Sequence, residues 1–187
     1  SSTSLASTAK LPRLQEFVPR RMLAGKGPVR PPQKRKVSKA DWQKLIRMAA
    51  PNFTVEGSGE GGVVRFGTFR NKTATRTHPI KRGEPSVLSR KLKVHKGKKT
   101  ILHATVSHHS HGHWELRVKV DGKIISKKEV SSKTTTDEWL THEVDLSSYE
   151  GKEIKLELEN NPTGWMNEWA YWHSVKLKSG DLLGKSN

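Results

Sequence analysis

The amino-acid sequence predicts an all-β fold, an antiparallel sandwich reached through a basic extended arm and one short helix. Three observations carry that expectation. From Phe53 onward apolar residues recur at every second position, the period of a half-buried strand. Turn signals such as Lys96-Gly97-Lys98, Asp121-Gly122 and Glu150-Gly151-Lys152 separate these runs at fairly even spacing. No glycine-rich loop opens a helix after a strand, which argues against a nucleotide-binding α/β fold.

Composition bounds the rest. The 187 residues suit one domain and a tail, and 32% hydrophobic residues with 15 Gly can supply one compact core. Zero cysteine excludes a disulfide scaffold, a thiolate metal site and a cysteine nucleophile. No run approaches the roughly 20 apolar residues that a membrane-spanning helix needs. The net charge of +17 is unevenly placed: residues 1–100 hold 24 basic against 5 acidic side chains, residues 101–187 hold 11 against 13. The basic excess therefore belongs to the N-terminal part.

Residues 1–37 read as the arm. Arg13, Arg20, Arg21, Arg30, Lys34, Arg35 and Lys36 are interleaved with prolines, so the segment repels itself and cannot order alone. Such an arm can lie along a polyanion or an acidic partner surface, or it can serve as a solvated linker. Leu11, Leu14, Phe17, Val18, Met22 and Leu23 favour docking, because an inert linker has no need of spaced apolar anchors. Residues 1–9 are small and polar, as a segment left by signal-peptide removal or an expression boundary would be.

Residues 38–50 follow as a short amphipathic helix. Ser38 is the expected N-cap with Asp41 three residues on, and Pro51 is the stop. Trp42, Leu45, Ile46 and Ala49 form one apolar stripe.

The sandwich is expected over residues 51–179, with a tail at 180–187. Trp114, Leu116, Val118 and Val120 alternate with charged residues and lead through Asp121-Gly122 into residues 123–130. Similar runs occupy 63–70, 88–94, 102–106, 140–146, 154–158 and 169–177. About eight short strands of this kind point to a sandwich or jelly roll.

Two clusters carry the chemistry. In His108-His109-Ser110-His111-Gly112-His113, the side chains of His109, His111 and His113 share a face if extended, which suits a metal; a His-rich hairpin loop is the plainer reading. No cofactor is expected. Among aromatic residues, Trp114 falls on a core parity, and so do Trp169 and Tyr171, which match Val175 and Leu177. Trp172 and Trp139 fall out of phase, and Trp165 lies in a turn-rich loop beside Asn167 and Glu168. An exposed indole near amide and carboxylate groups can grip a sugar ring, so Trp139, Trp165, Asn167, Glu168 and Trp172 are the candidate ligand set. Covering the sandwich end or contacting a subunit is the alternative. No serine has a G-x-S-x-G setting, and a binding module is expected over an enzyme.

The stretches Val87-Leu88-Ser89-Arg90, Val106-Ser107-His108-His109 and Val118-Lys119-Val120-Asp121-Gly122-Lys123 resemble a jelly-roll module of exported bacterial proteins. Leu156-Glu157-Leu158-Glu159-Asn160, Gly164-Trp165, Glu168 and Ala170-Tyr171-Trp172 extend the likeness. The chain thus resembles the galactose-binding-like, carbohydrate-binding-module type of sandwich over residues 53–179. The resemblance implies the fold, places His108 and His109 in a turn element, and implies an extracellular, periplasmic or envelope setting. The expected function is a non-catalytic module that engages glycan or a partner protein in a larger assembly, its arm wrapping a neighbour. A nucleic-acid or acidic-polymer binder using the arm is the alternative, although no nucleic-acid reader motif supports it.

Overall fold

Among the described residues the chain forms ten strands, one α-helix and one 3-10 turn (Ser147–Tyr149): α1 (Lys39–Ala49), β1 (Thr54–Glu56), β2 (Val64–Phe69), β3 (Lys72–Thr77), β4 (Ser86–Lys93), β5 (Lys98–His108), β6 (Trp114–Val120), β7 (Lys123–Val130), β8 (Leu140–Asp145), β9 (Glu153–Asn161) and β10 (Ala170–Asp181). This computed structural model describes residues 37–181. The arm's Arg13, Arg20, Arg21, Arg30, Lys34, Arg35 and Lys36 and the end of the tail lie outside the described residues. The strands pair into two antiparallel sheets, β1-β4-β9-β6-β7 and β2-β3-β10-β5-β8, which form the expected sandwich.

The core lies between the sheets. Leu102, Ala104 and Val106 of β5 meet Leu116, Val118 and Val120 of β6 and Leu156 and Leu158 of β9, all essentially without solvent contact. Trp114 packs here as expected, its ring 5.3 Å from that of Trp172.

Helix α1 begins where the sequence places it. The Ser38 side chain accepts from the Asp41 N–H while Asp41 reaches back to the Ser38 N–H, a complete capping box. Its stripe joins the same core: Ile46 and Ala49 are buried, and Trp42 and Leu45 pack beside them. From the same helix, Gln43 accepts the Val55 N–H at 2.8 Å and donates to the Val55 carbonyl at 3.0 Å, pinning α1 to the unpaired side of β1.

Three features depart from the expected pattern. The sequence reading omits β1 because it is only three residues long. It omits β3 because Lys72–Thr77 holds a single apolar residue, Ala74. There the inward positions are threonines with buried hydroxyls. Thr75 donates to the Leu45 carbonyl, and Thr77 accepts from the Trp172 indole. The β2–β3 turn is built on Arg70 and Asn71, both in the left-handed region at φ 48° and 67°, with no glycine to announce it.

The third departure is a bulge in β10. Trp172 pairs with Val106 and Ser174 with Thr105, so His173 is an extra residue in the ladder. Before the bulge Ala170 and Trp172 face the core; after it Val175 and Leu177 do. The phase assigned to Trp172, Trp169 and Tyr171 is thereby corrected: Trp172 is the core residue, and its two neighbours point to the outer face.

Candidate functional site

That outer face of the β2-β3-β10-β5-β8 sheet has two halves. One is aromatic. The Phe69 and Tyr171 rings stack at 3.7 Å, Phe66 leans on both, and Arg76 lies 3.9 Å over Trp169. Alternation puts Tyr171 here because Ala170 and Trp172 on either side face inward.

The other half is polar and concave. A groove of about 620 Å³ crosses β3, β10, β5 and β8. Thr105, Thr141 and Ser174 supply hydroxyls on adjacent strands, with Thr105 and Thr141 hydroxyls 3.1 Å apart. Lys72, Lys176 and Lys178 supply ammonium groups, and His103 and His173 supply imidazoles. Trp139 stands at the junction of the halves, edge-on to Phe69 and to His173. It reaches this place because the turn at Asp137 and Glu138, both left-handed, folds the chain over the sheet. Its indole N–H donates to the Arg70 carbonyl at 3.0 Å, which fixes the ring as a wall.

The candidate ligand residues are thus dispersed. Trp139 lines the groove with what remains exposed of it, 7% of its surface. Trp172 has no exposed surface, and its indole N–H is held by Thr77. A ligand cannot reach it without opening the core.

Trp165, Asn167 and Glu168 lie together in the loop before β10, away from the groove lining. Glu168 is 2% exposed, and its carboxylate accepts from the Thr163 and Gly164 N–H groups and the Thr163 hydroxyl. Its oxygens close the loop. Asn167 holds a left-handed turn at φ 57°, and its carbonyl would lie only 1.9 Å from a Cβ built on Gly112. Glycine at 112 is therefore required by close backbone approach. Trp165 stays half-buried, edge-on to the buried His78.

The histidine run forms a turn at the end of β5. His108 Nδ1 donates to the carbonyls of His109 and Gly112, and His109 Nδ1 accepts from the His111 N–H. Burial, then the neighbouring His111, Arg70, Arg76 and His108, lowers the His109 pKa below the ordinary imidazole value. The His109 and His111 rings are 5.9 Å apart, and His113 is exposed. Among the described residues no group of three or more His, Asp or Glu side chains is gathered as ion ligands.

Sequence reasoning missed Thr105, Thr141, Ser174 and the groove cations. Only Trp139, out of phase with the strand that follows it, was a signal.

No family model and no curated protein matches the chain. Similar solved structures include a xylan-binding family 22 carbohydrate-binding module from Paenibacillus barcinonensis, at 15% identity over 71% of this chain and 88% of that one, TM-score 0.48. A family 61 carbohydrate-binding module in complex with β-1,4-galactotriose is 14% identical over 73% and 94% of the two chains, TM-score 0.48. A Stig cyclase from Fischerella sp. is 11% identical over 69% and 75%, TM-score 0.46.

Proposed function

We propose that the protein is a non-catalytic glycan-binding module whose ligand lies in the groove across β3, β10, β5 and β8. One observation carries this reading: the exposed margin of a fixed indole, Trp139, adjoins a row of hydroxyls on neighbouring strands. A sugar ring needs both, an apolar face to lie against and hydrogen-bonding groups at its rim. The groove volume falls within the roughly 300–1,000 Å³ of small-ligand sites. The buried carboxylates also favour binding over acid–base chemistry. Glu159 is held by Lys119 at 2.6 Å, and Glu168 is held by its own loop. In the same proposal the module works in an extracellular, periplasmic or envelope assembly, its arm wrapping a neighbouring subunit.

The test is affinity electrophoresis of the full chain through soluble polysaccharides, parent against a Thr105→Val, Thr141→Val double variant. The variant keeps side-chain volume on an outer face while removing two hydroxyls. We expect retardation by at least one polysaccharide, and about tenfold weaker binding in the variant, the scale of one or two lost hydrogen bonds. Unchanged binding by the variant would remove the groove from the proposal. The competing reading, a nucleic-acid binder acting through its arm, requires a log–log salt slope near −0.9 per phosphate on duplex DNA.

A further inference from the structure

We infer, resting on the glycan-binding reading, that the groove takes an anionic glycan, a polysaccharide bearing carboxylates or sulfate esters. The two outer faces of the sandwich handle charge differently. On the β1-β4-β9-β6-β7 sheet, Lys119 pairs with Glu159 at 2.6 Å, Lys155 with Glu56 and Glu157 at 3.8 Å, and Arg117 with Glu115. Three cations of that face are thus paired, while Lys91 and Lys93 on it form no ion pair among the described residues. In the groove, none of Lys72, Lys176 and Lys178 forms an ion pair among the described residues.

The groove also gathers its ammonium groups on one face. Lys176 sits directly across from His103 in the β10–β5 ladder, and Lys178 follows two residues on, projecting from the same face. Glu143 on β8 is already engaged by His103 at 3.2 Å. Among the described residues, none lining the groove carries a carboxylate or a side-chain amide. Carboxylate and amide oxygens are the strong acceptors for the hydroxyl protons of a neutral ring, and here only hydroxyls and imidazoles can take that role. This lining offers ammonium donors and amphoteric hydroxyls, which match oxygen-rich anions. The groove is open to solvent, so its attraction should weaken with salt.

Calorimetric titration of the full chain decides the matter, using polygalacturonate against its carboxyl-reduced counterpart and dextran sulfate against dextran. We expect at least one charged polymer to bind about tenfold or more tightly than its neutral partner, as for charge-assisted hydrogen bonds. The preference should vanish in Lys176→Glu, Lys178→Glu and shrink in the milder Lys176→Gln, Lys178→Gln. It should persist in Lys91→Glu, Lys93→Glu on the opposite face, which controls for net charge and for the arm. Preference for polygalacturonate alone assigns carboxylates, and for dextran sulfate alone, sulfate esters.

Equal affinity for charged and neutral polymers would overturn the anionic inference while leaving the glycan-binding reading intact. Absence of binding to all four would overturn this inference, and with no other polysaccharide retained in the electrophoresis the wider reading would fall too. Duplex DNA bound as tightly, with the same loss in the groove variants, would also overturn it.

Discussion

Glu168 shows how a residue of apparent ligand chemistry can be consumed by its own loop. Three donors from Thr163 and Gly164 converge on its carboxylate, and the residue is 2% exposed. Replacing it with glutamine removes the charge and turns an amide donor toward other donors. A buried mismatch of this kind costs about 1–3 kcal/mol. Urea denaturation of Glu168→Gln should show that loss; a variant as stable as the parent would mean the loop does not depend on the carboxylate. Asn160 beside it donates to the Glu168 carbonyl and to Thr77, so the loop is tied to both sheets.

At the scale of the element, the bulge in β10 decides which aromatic residues are buried. Deleting His173 should leave a regular strand with Trp172, Val175 and Leu177 still inward, because the extra residue stands between two correctly phased runs. Inserting one alanine after Val175 should instead send Lys176 inward and Leu177 outward. Circular dichroism and thermal melts of the two variants should show the deletion folded and the insertion unfolded, and the reverse order would contradict the assigned register. This element also marks where the sequence stops being legible. The alternation from Trp114 to Val120, the Asp121-Gly122 hairpin and the Ser38–Asp41 cap each announce themselves within a few residues. A bulge carries no such local mark, and β3 hides because threonines occupy its inward positions. The groove is less legible still, since Lys72, Thr105, Trp139 and Lys176 meet only through strand pairing across about half of the chain.

For the whole molecule, the tie that His142 makes between the sheets is expected to respond to pH. His142 of β8 points inward and shares a 2.7 Å hydrogen bond with Ser126 of β7 in the other sheet. Burial first, and then Lys128, lowers its pKa below the ordinary 6.5, so the folded protein resists the proton that the unfolded chain accepts. Stability is therefore expected to be complete above about pH 6.5 and to fall as pH drops below it; the lowered pKa of His109 adds in the same direction. Denaturation midpoints at about pH 7.5 and pH 5 should differ, and less so in His142→Gln. An unaltered pH dependence in that variant would assign the effect to other groups.

Strand β1 ends its sheet, and an edge with free backbone groups is a template for another chain. The Gln43 amide gives Val55 the donor and acceptor that a neighbouring strand would give, without having a further edge of its own to offer. The helix thus terminates the ladder chemically at the middle residue of that strand, and a second copy of the protein finds no vacancy there to extend it into a fibre.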